Sequence, residues 1–156
     1  MVRSADHDWG VRVLCTEGVE GVMQLYIASY FNTRDRLLPY VATLEAMGNI
    51  ITSTWLKEVP KGDITKTHTG LYTAHELQSF AVRDVLELFN TEAVILDTFD
   101  MTPRGGREVE WGAFVFKVVP FGFVVGPKRN VFHELATTNF QTWEECLTYF
   151  SVLSAT

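Results

Sequence analysis

The sequence predicts one α/β domain in which a parallel β-sheet lies between two layers of helices, a three-layer sandwich. Short apolar and β-branched runs alternate along the chain with longer segments that carry helix N-caps. This alternation is typical of β-α-β units, whose strands run parallel. The 156 residues are enough for one core, and 47% hydrophobic with 21% charged residues is a globular composition.

A strand, a helix and a second strand are predicted first. Val22–Ala28 is apolar, β-branched or aromatic and contains no charge, which is typical of a buried strand. A helix follows to about Met47, because apolar residues recur at helical spacing and Gly48 suits the position after a helix end. Pro39 is expected to lie in the first turns of this helix or to kink it. Asn49–Trp55 is predicted as the second strand.

The rest of the chain is predicted to add three helices and two strands. Thr73 and Glu76 match a capping box that opens a helix to about Phe89. The further elements are a strand at Ala93–Asp97, a helix from about Gly106 to Phe116, a strand at Val118–Val125, and a helix that follows Thr142 and ends near Leu153. Pro120 and Gly122 indicate that the fourth strand is an edge strand or contains a bulge.

Composition and charge exclude several classes of protein. The net charge of −6 argues against a binder of nucleic-acid polymers, which needs a basic surface. Trp111–Val125 is the longest apolar candidate for a membrane span, and glycines, a lysine and a proline interrupt it. Cys15 and Cys146 have neither metal-ligand spacing nor a disulfide framework. We therefore expect a cytoplasmic protein without membrane partners, metal ions or organic cofactors.

The domain is predicted to span residues 22–156, and residues 1–21 to form an N-terminal extension without an assigned function. Parallel sheets bind ligands beyond the carboxyl ends of their strands. The loops expected at that edge are residues 29–33, 55–72, 97–106 and 126–133.

The strongest local motif is Arg104–Gly112 (RGGREVEWG), which follows an apolar strand and opens a helix. Its two glycines, Gly105 and Gly106, allow a ligand close to the backbone, and the first N–H groups of a helix attract anions. Arg104 and Arg107 add fork-shaped donors that suit phosphate or carboxylate groups.

Two acidic residues of this motif point in different directions. Glu110 lies four residues after Gly106 and shares a helix face with the predicted anion site, whereas Glu108 points elsewhere. The alternative is a solvated, charged helix start in which Glu108 pairs with an arginine. The spacing alone does not decide between the two interpretations.

Several motifs between Met23 and Phe150 occur together in a characteristic order. They are Leu25–Ser29 (LYIAS), Phe80–Asp84 (FAVRD), Ala93–Asp97 (AVILD), Glu110–Ala113 (EWGA), and, downstream, Gly126, Asn130–His133 and Phe140–Trp143. In this order they resemble the nucleoside 2-deoxyribosyltransferase superfamily, which includes nucleoside 5′-monophosphate N-glycosidases. Gly-Gly followed by Glu-x-Gly is the most diagnostic part. The resemblance agrees with a flavodoxin- or Rossmann-like three-layer α/β sandwich.

The resemblance implies covalent glycosidic chemistry at three residues. Glu110 matches the glutamate that attacks the anomeric carbon of the sugar, and a carboxylate suits this role because it can both stabilise and trap an oxocarbenium-like centre. Tyr26 would hydrogen-bond and orient that carboxylate. Asp84 matches an aspartate near the departing base, which it would hold or help to protonate. The alternative for Asp84 is a surface charge beside Arg83.

Further residues have two interpretations each. Ser29 is a candidate substrate contact, although the family motif usually has a glycine near this position. Trp55 would stack on a base or pack in the core. Asp97 and Asp100 would contact sugar hydroxyls or cap a turn. His133 would touch a ligand or act as a hydrogen-bonded structural residue.

The expected activity is cleavage or exchange of the N-glycosidic bond of a nucleoside 5′-monophosphate, because a free nucleoside offers no anion to Arg104 and Arg107. Two alternatives stay open: a deoxyribosyltransferase for unphosphorylated nucleosides, and a non-catalytic nucleotide-binding protein. The expected partner is a small nucleoside or nucleotide. The resemblance also implies a homodimer or a larger homo-oligomer.

Overall fold

The computed structural model describes residues 21–58, 61, 71–101 and 105–155, and a five-stranded parallel sheet runs through its centre. The strands are β1 (Gln24–Ala28), β2 (Ile50–Ile51), β3 (Ala93–Asp97), β4 (Phe121–Val125) and β5 (Thr138–Phe140). They lie in the order β2-β1-β3-β4-β5, and every neighbouring pair is parallel. This is the flavodoxin-like order, whose switch point lies between β1 and β3. The predicted parallel sheet is confirmed.

Four helices in the described part of the chain cover the sheet as two pairs. They are α1 (Arg34–Ala46), α2 (Ala74–Phe89), α3 (Gly106–Val115) and α4 (Trp143–Ser154). Helix α1 packs against α4, and α2 packs against α3. The predicted three-layer sandwich is therefore confirmed. Short 3₁₀ turns at residues 31–33, 54–57 and 131–135 complete the described elements.

The central strands are apolar because both of their faces are covered. All five residues of β3 and the last four of β1 are buried. Continuous apolar strands of this kind are typical of parallel sheets between helix layers.

Two predicted helix boundaries have clear physical causes. In the capping box, the backbone N–H of Glu76 donates to Thr73 Oγ1 at 3.2 Å and that of Thr73 to Glu76 Oε2 at 2.8 Å. Gly48 follows α1 with φ of 93°, a conformation that glycine adopts without strain. Pro39 lies inside α1, near its first turns as expected.

The second strand is much shorter than predicted. Strand β2 holds only Ile50 and Ile51, whereas the prediction reached Trp55. The Ser53 hydroxyl, rather than a backbone carbonyl, accepts the hydrogen bond from Ile27 N at 3.1 Å. The following residues then wind into the 3₁₀ turn at 54–57, which ends the pairing with β1.

The expectation of an edge position for the fourth strand is wrong. Strand β4 lies between β3 and β5, and its ladder with β3 is continuous over five residue pairs. Gly122 serves another purpose, because an added Cβ would come within 2.5 Å of the Phe114 ring of α3. The edge of the sheet next to β4 is formed by β5, a strand of three residues that the sequence analysis did not assign.

Several predictions lie outside the described residues. These are the roles of residues 1–20 and of Arg104, and the state of Cys15. None of the described helices is long and apolar enough to cross a membrane. The cytoplasmic location and the homo-oligomeric state stay predictions.

Candidate active site

The centre of the site is a carboxyl group held by a buried tyrosine. Tyr26, in the middle of β1, is fully buried, and its hydroxyl donates to Glu110 Oε1 on α3 at 2.9 Å. The other oxygen, Glu110 Oε2, is buried and forms no hydrogen bond in the described part of the chain. Tyr26 thus holds one oxygen of the Glu110 carboxyl in place, and the other oxygen has no hydrogen-bond partner among the described residues.

Burial makes Glu110 an unusually weak acid. Desolvation raises its pKa, the hydrogen bond from Tyr26 opposes that rise, and the nearby carboxylates of Asp84 and Glu87 add to it, for a pKa of about 8. The pKa of Tyr26 is raised as well, by burial and by the charge of Glu110. Tyr26 therefore remains a donor throughout the ordinary pH range.

Glu110 lines a cleft of about 670 Å³ between α2 and α3. Asp84 lies on the α2 wall, and Gly106 and Glu108 lie on the α3 wall. The remaining lining residues are apolar or small, namely Ala81, Val85, Leu88, Phe89, Val109, Gly112, Ala113, Phe116 and Val118. The fold thus brings together Tyr26, Asp84 and Glu110, which are far apart in the sequence.

Asp84 is held by its sequence neighbour. Arg83 Nη2 and Nε both donate to Asp84 Oδ1, at 2.8 and 3.2 Å. Arg83 also pairs with Glu58 and lies 3.6 Å from Glu87. The sequence analysis missed this cluster, although Arg83 and Glu87 have the i,i+4 spacing of a helical ion pair.

A second, smaller cavity with aromatic walls adjoins Asp84. It measures about 170 Å³. Its lining residues are Phe31, Trp55, Glu58, Tyr72, Leu77, Phe80, Arg83 and Asp84. Trp55 is mostly buried and donates from Nε1 to the Ile27 carbonyl at 3.0 Å, so it packs in the core and also forms one wall.

The fold of the chain is similar to that of a solved enzyme structure. No protein-family model matches the chain, and no curated protein matches it. Among solved structures, it resembles the 2-deoxyribosyltransferase of the psychrotolerant bacterium Bacillus psychrosaccharolyticus, described as a biocatalyst for the synthesis of antiviral and antitumoral nucleosides. The match has a TM-score of 0.64 and 16% identity and covers 83% of this chain and 95% of the other. The two chains share a fold.

The structure does not bring Arg107 into the cleft. Its side chain is buried, and Nη1 donates to the carbonyl oxygens of Asp97 and Asp100 at 3.1 and 2.8 Å. These bonds tie the start of α3 to the turn after β3. Its Nε lies 3.6 Å from Glu108 Oε1, so Glu108 pairs with an arginine as in the alternative interpretation of this motif. The guanidinium group therefore contacts backbone carbonyls and Glu108, and Arg107 does not line the cleft.

The other predicted binding residues are divided between the cleft and its surroundings. Gly106 lines the cleft, and Gly105 precedes it as the exposed N-cap of α3. An added Cβ at either glycine would meet no atom within 4 Å. Ser29 lies outside both cavities, and its hydroxyl is 2.8 Å from that of Thr33.

Asp97 and His133 are structural residues in this arrangement. Asp97 is fully buried and accepts hydrogen bonds from Arg36 and from Trp143 Nε1. His133 is also buried, and its Nε2 lies 3.0 Å from Glu108 Oε2. Glu108 thus contacts the segment after β4, where Asn130 Nδ2 also donates to its Oε2 at 3.1 Å.

Proposed function

We propose that the protein cleaves or transfers the N-glycosidic bond of a nucleoside or nucleoside 5′-monophosphate, with Glu110 as the nucleophile. The observation that carries the proposal is the Tyr26–Glu110 pair at the wall of the cleft, with one carboxylate oxygen held at 2.9 Å and the other unpartnered. The shared fold with a 2-deoxyribosyltransferase supports this class of reaction.

The reaction proceeds in two displacements. The ionised Glu110 attacks the anomeric carbon, the C–N bond breaks, and its electron pair leaves with the base, which takes up a proton. The resulting ester links the sugar to Glu110. Water then releases the free sugar in a hydrolase, whereas the nitrogen of a second base forms a new nucleoside in a transferase.

We propose that the base occupies the aromatic cavity beside Asp84. Phe31, Trp55 and Phe80 offer flat apolar surfaces for a heteroaromatic ring, and Asp84 stands between this cavity and the cleft of Glu110. A nucleoside would thus extend from the aromatic cavity, past Asp84, with its anomeric carbon at Glu110. In this arrangement Asp84 contacts the departing base.

The preference for a 5′-monophosphate rests on Arg104, Arg107 and the N–H groups at Gly105 and Gly106. Because Arg107 already donates to two backbone carbonyls, an unphosphorylated nucleoside is the second candidate substrate. Comparing each nucleoside with its 5′-monophosphate separates the two. A phosphate site at the start of α3 requires that Arg104→Ala weaken the monophosphate much more than the nucleoside.

The deciding experiment measures base release from ribo- and deoxyribonucleosides and their 5′-monophosphates, with and without an acceptor base. Glu110→Gln removes the charge of the nucleophile, Glu110→Ala removes the attacking oxygen as well, and both should abolish turnover. Glu108→Gln is the matched control and should keep most of the activity. Mass spectrometry should locate a trapped sugar on Glu110.

Three results would contradict the proposal. An adduct on Glu108, or full activity of Glu110→Ala, would move the nucleophile elsewhere. Tight nucleotide binding without turnover in the unmodified protein would favour the non-catalytic nucleotide-binding protein.

A further inference from the structure

We propose that Arg83 is a positioning residue that fixes the Asp84 carboxylate so that its second oxygen, Oδ2, accepts a hydrogen bond from the departing base. The proposal rests on the proposed function and adds the group that controls Asp84. It also describes the substrate: the base carries an N–H donor on the edge that enters the aromatic cavity.

Two hydrogen bonds of Arg83 converge on one atom of Asp84. Nη2 and Nε approach Oδ1 at 2.8 and 3.2 Å. Within the described residues, Oδ2 has no hydrogen-bond partner, and Asp84 lines both the cleft and the aromatic cavity. The fork-shaped guanidinium group therefore defines the rotation of the carboxylate and directs one oxygen towards the ligand.

Arg83 is itself held from three sides. Its Nη1 pairs with Glu58, and its guanidinium carbon lies 5.4 Å from the centroid of the Phe80 ring. Glu87 lies 3.6 Å from Arg83 Nε and accepts a hydrogen bond from Thr54 N at 3.1 Å. These contacts connect α2 to residues 54–58, so Arg83 has little freedom to leave Asp84.

The charges around Arg83 exclude it as a site for a ligand anion. Three carboxylates, those of Glu58, Asp84 and Glu87, lie against a single guanidinium group. The net charge of the cluster is negative, and a phosphate would be repelled. A donor from a neutral base meets no such penalty, because Asp84 accepts it as a carboxylate.

The proposal is tested by a double-mutant cycle with Arg83→Gln, Asp84→Asn and the double variant. Each variant is assayed for base release from adenosine, guanosine, cytidine and thymidine, at the plateau of its own pH profile. Arg83→Gln should lower kcat/KM about 10- to 100-fold, the range expected when a reacting group loses its orientation. The double variant should match Asp84→Asn within about twofold, because Arg83 acts through Asp84.

Two variants separate positioning from a structural role. Arg83→Lys keeps the charge but cannot form the fork, so it should recover only part of the activity. Lys57→Gln removes the cation of an exposed ion pair with Glu45 of α1, and its kcat/KM should equal that of the wild type. All variants should unfold at similar temperatures. The proposal would be overturned if kcat/KM of the double variant fell by the product of the two factors measured for the single variants. Full activity of Arg83→Gln would also overturn it.

Failure of the proposed function gives a different result. If the unmodified protein releases no base, the same four proteins are titrated with the four nucleosides by calorimetry. The Kd of the double variant should then equal that of Asp84→Asn within about twofold. Absence of binding, or binding that neither Arg83→Gln nor Asp84→Asn weakens, would overturn the assignment of Arg83 by itself.

Discussion

At the scale of single residues, the site depends on how burial and hydrogen bonding balance at Glu110. Burial stabilises the protonated form of this carboxyl, whereas the hydrogen bond from Tyr26 stabilises the ionised form that attacks. The attack itself needs a carboxylate that is poorly solvated and therefore reactive. The same burial that favours reactivity thus limits the pH range in which the reactive form exists.

The activity should increase with pH up to about the pKa of Glu110. Because the group has a pKa of about 8 and must lose its proton before it attacks, kcat/KM should rise from pH 6 through pH 8, reach half of its maximum near the pKa, and level off about one pH unit above it. Steady-state kinetics from pH 5 to 10 measure this profile, with Glu108→Gln as a control of unchanged midpoint. A rate that is constant or falls between pH 6 and 8 would contradict the assignment.

Tyr26→Phe should move the midpoint of that profile to higher pH. The substitution keeps the ring in the core and removes the donor to Glu110 Oε1, so the carboxylate loses a stabilising bond. A hydrogen bond to a charged group contributes about 1.5 kcal/mol, which corresponds to about one pKa unit. The same kinetic series measures the shift. A midpoint that stays in place or moves to lower pH would show that Tyr26 does not stabilise the ionised form.

The sequence predicted the three central residues of the site but only part of their surroundings. Tyr26, Asp84 and Glu110 could be named because short motifs carry them. Arg107 was expected at a ligand, but the free carbonyls of Asp97 and Asp100 accept its hydrogen bonds, and sequence patterns do not show which carbonyls stay unpaired. Arg83 was named only as a neighbour of Asp84, since its partners depend on where residues 54–58 lie.

At the scale of elements, the position of Glu110 depends on how closely α3 approaches the sheet. Phe114, one turn after Glu110, packs its ring over Gly122 of β4, where an added Cβ would lie 2.5 Å from ring atoms. Phe114 and its neighbour Trp111 are buried in the same interface. A glycine in a central strand therefore sets the distance between the catalytic helix and β4.

Gly122→Ala should destabilise the protein, whereas the same change at Gly112 should not. The methyl group at residue 122 forces Phe114 or α3 to move, and overpacking of this kind costs about 1–3 kcal/mol. At Gly112, inside α3, a Cβ would meet the Phe116 ring at 3.8 Å, an ordinary contact, so alanine should stabilise the helix by about 0.5–1 kcal/mol. Urea unfolding measures both. A stable Gly122→Ala variant would mean that α3 is free to shift.

Elements with strong periodic patterns were predicted well, and short ones were not. Helix α2 and strand β3 have the predicted boundaries, because each combines a clear pattern with a clear start or end. Strand β2 ends at Ile51, where a serine side chain takes over the pairing, and β5 is only three residues long. Tertiary pairing, rather than local sequence, determines such short strands.

At the scale of the whole molecule, Asp97 connects the sheet to both helices on one face. It ends β3, and its carboxylate accepts two hydrogen bonds from Arg36 of α1, at 3.0 and 3.1 Å, and one from Trp143 Nε1 of α4 at 2.7 Å. Because β3 also precedes the segment that leads to α3, this buried group links the layer opposite the site to the element that carries Glu110.

Asp97→Asn should lower the stability of the whole domain, and Asp100→Asn should not. Both carboxylates accept from Arg36 at 3.0 Å, but Asp97 is fully buried whereas the Asp100 side chain is 49% exposed. Loss of the buried charge costs about 1–3 kcal/mol. The indole N–H of Trp143 is buried and loses its charged acceptor, whereas the Arg36 side chain is 38% exposed and water can solvate it in part. An exposed pair contributes less than about 1 kcal/mol. The free energy of unfolding in urea, followed by tryptophan fluorescence, measures the difference. Equal losses of stability in the two variants would show that burial does not strengthen the hydrogen bonds of Asp97. Apolar packing alone would then connect the two helix layers.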